Sequence, residues 1–130
     1  MLELFSNNTK HININPIGKP RMTRADRWKK RPCILRYWAF KNKLVAWASE
    51  VGLTIPPILI ATFVMPMPSS WSRKKKELMY GMPHQQKSDI DNISKSLMDS
   101  LCKDDSYVHT LFVKKVWGYH GRIIFFGDKQ

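Results

Sequence analysis

Two cysteines, ten acidic residues and no long apolar run are the first limits this 130-residue chain sets on its own chemistry. Cys33 and Cys102 stand far apart and lack CxxC spacing, which argues against a disulfide framework and a zinc site and makes a reducing cytoplasm the expected location. The longest apolar stretch, Ile55–Val64, is broken by Pro56, Pro57 and Thr62, so it is too short to span a bilayer and reads as a buried strand. The first fifteen residues carry Asn, Thr and Ser where a secretory leader would have a basic start and an apolar run; no leader is expected. Neither repeat nor linker divides the chain, so a single domain over residues 1–130 is expected.

What is present in excess is positive charge. Twenty-two Lys and Arg against ten Asp and Glu give +12, with a sequence pI near 10.0. A hydrophobic content of 43% with five Trp and six Phe is enough to build a core, which excludes global disorder. A small, folded, strongly basic chain points to nucleic acid. A membrane surface would ask for an amphipathic helix with Lys and Arg flanking a strong apolar face, and none stands out. The cations come in blocks. Lys19, Arg21, Arg24, Arg27, Lys29 and Lys30 open the first, which runs to Lys43 with Asp26 as its only acid; Arg73, Lys74, Lys75 and Lys76 form the second, followed by Lys87. These side chains are the expected phosphate contacts. The acids do the opposite: Asp89, Asp91, Asp99, Asp104 and Asp105, five of the ten, crowd into one segment. Acids clustered beside a polyanion-binding surface repel phosphate unless a divalent cation lies between them.

Period-two alternation predicts a strand over His11–Pro16. Leu35, Trp38, Leu44, Val45, Trp47, Ala48 and Val51 approximate helical spacing and predict a helix over Cys33–Val51, with its Trp residues in the core and Gly52 as the stop. Ile58–Met65 reads as a central strand. Pro66–Ser88 reads as a long loop holding a short helix at Ser72–Tyr80, capped by Ser70 or Ser72. A better-marked helix runs from Asp91 to Leu101 on an apolar stripe of Ile93, Leu97, Met98 and Leu101. Strands at Val108–Tyr119 and Arg122–Phe126, joined through Gly118–Gly121, are expected to pair as a hairpin. The sum is an α+β domain, a mixed sheet with two main helices.

The chemistry is concentrated around Asp89. If Asp89–Asp91 is extended, both carboxylates point to one side while Ile90 points inward. Asp91 is also a suitable N-cap for the helix that follows, whose N-terminal partial charge favours carboxylates. Asp91, Lys95 and Asp99 fall at i, i+4 and i+8, on one helix face. Asp104 or Asp105 could fold back to join Asp89 and Asp91, and three converging carboxylates make the oxygen-rich site that Mg²⁺ prefers. Such a site suits phosphodiester hydrolysis, with Lys95 adding positive charge at the transition state. The same spacing also fits simple capping and solvation, which would leave a basic nucleic-acid-binding protein without catalytic activity, and the same metal site would equally serve a nuclease of different substrate range, RNA-directed or general. His84, His109 and His120 show no metal spacing and are expected at the surface.

The string Asp89-Ile-Asp-Asn-Ile-Ser-Lys95-Ser-Leu-Met-Asp99-Ser-Leu101, followed by Asp104-Asp105-Ser-Tyr-Val108, resembles the signature of the RusA family of Holliday junction resolvases, D-x-D-N-x-x-K-x-x-x-D-x-L and then an acidic pair. Gly18–Arg24 and Trp71–Lys76 look like segments of its phage-type members. The resemblance implies a RusA-like domain: a Mg²⁺-dependent endodeoxyribonuclease (with Mn²⁺ as an alternative ion) that forms homodimers and cuts branched DNA at paired, symmetric positions. It implies Asp89, Asp91 and Asp105 as catalytic, metal-binding carboxylates and Lys95 as the catalytic lysine. Ser88 stands where many members have Pro, and the connection from Asp99 to Asp104 is shorter than in many relatives. That spacing leaves Asp104 and Asp105 in competition, and the following Ser-Tyr-Val favours Asp105.

Overall fold

The computed structural model describes residues 9–28 and 30–126. Its organising element is the apolar run after Pro56–Pro57, which forms strand β2 (Ile58–Pro66). Leu59, Ala61, Phe63 and Met65 on one side and Thr62 and Val64 on the other are all buried, so the backbone N–H and C=O groups of β2 are shielded from water and need a partner strand on each edge. Strand β3 (Thr110–Gly118) lies parallel to one edge, in register from Ile58↔Thr110 to Pro66↔Gly118. Strand β4 (Arg122–Phe126) lies antiparallel to the other, and β1 (Thr9–Ile12) pairs antiparallel with β4. The order is β1-β4-β2-β3, a mixed sheet.

The expected hairpin between the last two strands is therefore corrected: β3 and β4 flank β2 and do not pair with each other. Residues 119–121 carry the chain across the C-terminal end of β2. The crossing is tight enough that a Cβ on Gly118 would collide with the Val64 side chain and one on Gly121 with Asn15. Strand β1 also ends earlier than the alternation suggests. The alternation itself persists, since Ile12, Ile14 and Pro16 are buried while His11, Asn13 and Asn15 are exposed, but ladder pairing stops at Ile12.

Helix α1 (Pro32–Val51) starts with Pro at its first position and ends on Gly52, whose φ of 70° takes the left-handed C-cap that a side chain would resist. Its buried face is Ile34, Tyr37, Phe40, Leu44 and Ala48. The placement of the helix Trp residues in the core is corrected: Trp38 is exposed with Leu35 and Val45, and Trp47 is half-buried against Phe125 at 5.5 Å between ring centroids. Apolar residues surround α1, and the face it buries is the one that meets the sheet. Helix α2 (Arg73–Met79) is capped by Ser72, whose hydroxyl accepts from the Lys75 amide at 3.1 Å; it has no buried residue. Helix α3 (Ile90–Leu101) buries Ile93 and Leu97 completely, each contributing about 1.5–3 kcal/mol of transfer free energy. Together α1 and α3 cover the sheet face that carries Leu59, Phe63, Ile123 and Phe125.

The long loop does structural work at the outer edge of β3. Gly81 donates to the Trp117 carbonyl (2.9 Å), Trp117 to Met82 (2.9 Å) and His84 to Lys115 (3.0 Å). That main-chain ladder seats the His84 ring on Trp117, with centroids 4.3 Å apart. His84 is 6% exposed, which corrects its expected surface position.

Candidate active site

Asp89 has the extended backbone of an N-cap (φ −66°, ψ 142°), and its carbonyl accepts from Ile93 at 3.0 Å. The expectation that Asp91 caps the helix is corrected: α3 begins at Ile90, and Asp91 lies in its first turn. Ile90 turns partly into the core, and that draws the helix start forward. The Asp89 carboxylate makes no capping bond of its own. Ser94 and Ser100, both buried, donate to the carbonyls of Ile90 and Ser96 at 2.8 Å each, while the equally buried Ser96 hydroxyl has no partner among the described residues. Asp91 and Lys95 are left on the exposed side, with Asp99 half-buried.

The acids differ in what engages them. Asp26 receives Arg31 at 2.8 Å, Asp99 receives Lys19 at 2.7 Å and Glu77 receives Arg73 at 3.3 Å. Asp104 accepts from the Ser106 amide at 3.0 Å, which holds its carboxyl below the usual range and caps the short 3₁₀ turn Asp105–Tyr107. Asp89, Asp91 and Asp105 are exposed and take no hydrogen bond or ion pair from any described residue, a state shared only with Glu50 among the described acids. The local turn gives Asp104 a main-chain partner, and Asp105 has none among the described residues.

Asp105 opens on a cleft of about 280 Å³ with Met98, Val108, His109, Thr110 and Leu111. Met98 lies seven residues beyond Asp91, about 10 Å along the helix axis. Among the described residues no group of three or more His, Cys, Asp or Glu is placed closely enough to hold a metal ion, so the three carboxylates do not form a closed ligand cluster. Their chemistry nevertheless fits a hard divalent ion: the donors are oxygens, solvent-facing and unengaged, and Mg²⁺ keeps several waters and takes only one or two carboxylates directly.

Two contacts position this segment, and neither was visible as a motif. The Lys115 ammonium, on β3, donates to the carbonyls of Ser88 at 2.6 Å and Gln86 at 2.7 Å, gripping the chain just before Asp89. The available signal was parity, for Lys115 lies between Val113 and Trp117 on the side of β3 that turns toward the core. The Asn92 amide donates to the Lys19 carbonyl at 3.2 Å, and a Cβ on Gly18 would strike that amide. The loop after β1 is thereby laid on α3. Between them lies an open groove of about 410 Å³, lined by Lys19, Pro20, Arg21, Met22, Asn92 and Lys95.

The basic blocks divide by engagement as the acids do. The Lys19 ammonium pairs with Asp99, whose hydrogen bond raises its pKa. Arg73 pairs with Glu77, and the Lys75 ammonium sits 4.2 Å above the Trp71 ring. Arg21, Arg24, Lys30, Lys74, Lys76, Lys87 and Lys95 carry side chains without a protein partner among the described residues. Lys29 lies outside the described residues, as does the side chain of Arg27. Asp26 organises the first block: both its oxygens receive Arg31, it accepts the Thr23 amide at 2.7 Å, and Arg31 reaches on to the Arg21 carbonyl at 2.8 Å. No helix among the described residues is long and apolar enough to cross a membrane.

A family model for endodeoxyribonuclease RusA matches residues 13–125, which spans every element named above except the first four residues of the sheet and the last strand residue. No curated protein is similar enough to stand beside that match. With nearly the whole chain covered, and with the acidic helix and the basic groove inside the matched span, the protein belongs to the RusA family of endodeoxyribonucleases.

Proposed function

We propose that the protein is a Mg²⁺-dependent endodeoxyribonuclease that resolves four-way DNA junctions by paired, symmetric nicks, acting as a homodimer in the cytoplasm of the cell that carries it. The observation that carries this reading is the selective freedom of Asp89, Asp91 and Asp105 in a segment where Asp99 and Asp104 are engaged. These three would hold the metal. Bound there, a divalent ion supplies an activated water and neutralises phosphate charge.

The chain's own residues do the rest. The Lys115 clamp on Ser88 fixes the approach to Asp89, so that carboxylate is presented without a search over loop conformations. Lys95 and Arg21 face the groove beside α3 and would hold non-bridging phosphate oxygens of the scissile strand. Lys74, Lys76, Lys87 and Lys30 would contact phosphates farther along the arms, positioning the junction without reading its sequence. Two incisions in a symmetric junction ask for two active sites related by a dyad, which is the reason for a homodimer.

The test is cleavage of a labelled four-way junction with and without Mg²⁺, beside Asp91→Asn. Symmetric nicking that needs the metal and is lost in the variant, while the variant still binds, is the expected result. Tight binding with no cutting under Mg²⁺ or Mn²⁺ would sink the enzyme reading, and equal cutting of linear duplex would sink the junction reading.

A further inference from the structure

Tyr80 and Tyr119 form a stacked pair at the surface, with ring centroids 5.3 Å apart and planes 29° from parallel. They are 57% and 48% exposed, so neither ring is explained by the core. The other two tyrosines are accounted for: Tyr37 is buried, and the Tyr107 hydroxyl donates to the Ile55 carbonyl at 2.6 Å. The hydroxyls of Tyr80 and Tyr119 have no partner among the described residues.

The pair is also held rigidly. Tyr80 closes α2 through its amide to the Lys76 carbonyl at 3.0 Å, and the next residue, Gly81, turns at φ 77° and joins the Trp117 carbonyl at 2.9 Å. Tyr119 follows Gly118, which is packed against Val64. The rings border an open cleft of about 220 Å³ whose other polar side chains are Asn13, His120 and Arg122, with no acid among them. Lys43 reaches the adjoining hollow, anchored on the Asn13 carbonyl at 2.8 Å. A preformed, amphipathic aromatic surface with Arg122 at its border and Lys43 in the adjoining hollow is what an unstacked nucleobase and its phosphate need, because every base has a π-face and the backbone is anionic. A cleft this small and open suits a flat ring laid against a wall better than an enclosed small molecule.

We propose that the Tyr80–Tyr119 stack, with Arg122 and Lys43, is a platform that receives an unpaired base of single-stranded or branched DNA. This rests on the reading of the protein as a DNA-binding nuclease and adds a second contact to it. The cleft is lined by Val64 and Arg122, on the sheet face opposite the one that α1 and α3 cover, so it is a contact apart from the acidic helix, and an opened junction centre supplies the unpaired bases it would take.

The test uses the full chain without divalent metal and a four-way junction carrying 2-aminopurine at its centre, with a fully paired duplex as control. Binding is expected to quench the junction probe and leave the duplex probe unchanged. Tyr80→Ala and Tyr119→Ala are expected to lose the quench and to weaken junction binding about tenfold, the scale of one lost base stack. Tyr119→Phe is expected to keep both. Tyr80→Leu, which preserves apolar volume, replaces Tyr80→Ala if that variant melts early. Alanine variants with unchanged Tm that quench and bind like the parent would overturn the platform. Mg²⁺-dependent cutting of the same junction is read separately, so quenching without cutting would refute the nuclease and leave the platform standing.

Discussion

The Lys19 ammonium lies 2.7 Å from a carboxylate oxygen of Asp99, joining the first basic block to the acidic helix across eighty positions of sequence. The pair is about a quarter to a third exposed on each side, so water screens it and its net worth is about 0–1 kcal/mol. Asp99→Ala should lower stability by no more than that in urea titrations. It should also free Lys19 for phosphate, raising duplex affinity and steepening its salt dependence. A fall in affinity would mean that the pair matters for holding the loop on α3.

The Asp26 carboxyl is lowered from 3.8 to about 2, first by the Arg31 hydrogen bond and then by the Thr23 amide. A depressed carboxylate contributes stability that is complete above its unfolded value of 3.8 and disappears as the pH falls through about 2. Asp26→Asn should remove that part of the acid transition. It should also loosen the loop presenting Arg21 and Arg24, weakening DNA binding at neutral pH. Acid titrations of unfolding in both proteins, with a binding assay at pH 7, check the two arms.

Burial lowers the pKa of His84 from 6.5, and the nearby Lys115 charge lowers it further. The unfolded chain then binds more protons than the folded one, so stability is complete above 6.5 and declines as the pH falls from there through the folded value. His84→Phe keeps an aromatic ring against Trp117 and should flatten the stability profile on the acidic side of 6.5. An unchanged slope in thermal melts would place the titration elsewhere.

Lys115→Met removes the donor to both Ser88 and Gln86. With the approach to Asp89 unclamped, junction cleavage should fall by about ten- to a hundredfold, as expected for a small misplacement of a reacting group. Junction affinity, supplied by other cations, should change little. Lys115→Arg should recover part of the rate. Equal losses in affinity and rate would make Lys115 a phosphate contact instead.

Much of this was legible one residue at a time. The helix ending at Gly52, the apolar strand after two prolines and the stripe of Ile93 and Leu97 follow from local propensity and period, and the structure forms each of them. The segment holding Asp89, Asp91 and Lys95 could be picked out because acids are scarce in this chain and crowd there. The face of α1 could not be picked out: Leu35, Trp38 and Val45 are as apolar as Ile34, Tyr37 and Phe40, and only packing against α3 and the core decides which set is buried.

The sequence by itself determined the family, the charge, the elements and the short list of carboxylates, since each rests on residue type and spacing along the chain. The tertiary structure alone decided that β3 and β4 flank β2, because a buried strand must pair its backbone N–H and C=O groups on both edges, whatever the chain order of the partners. It alone buried His84, through a ladder between a loop and an edge strand. It also sorted the ionic groups into engaged and free, with Asp104 bonded and Asp105 open, Lys19 paired and Lys95 available. Hydrogen bonds and ion pairs act over about 3 Å, and which groups come that close is a property of the fold.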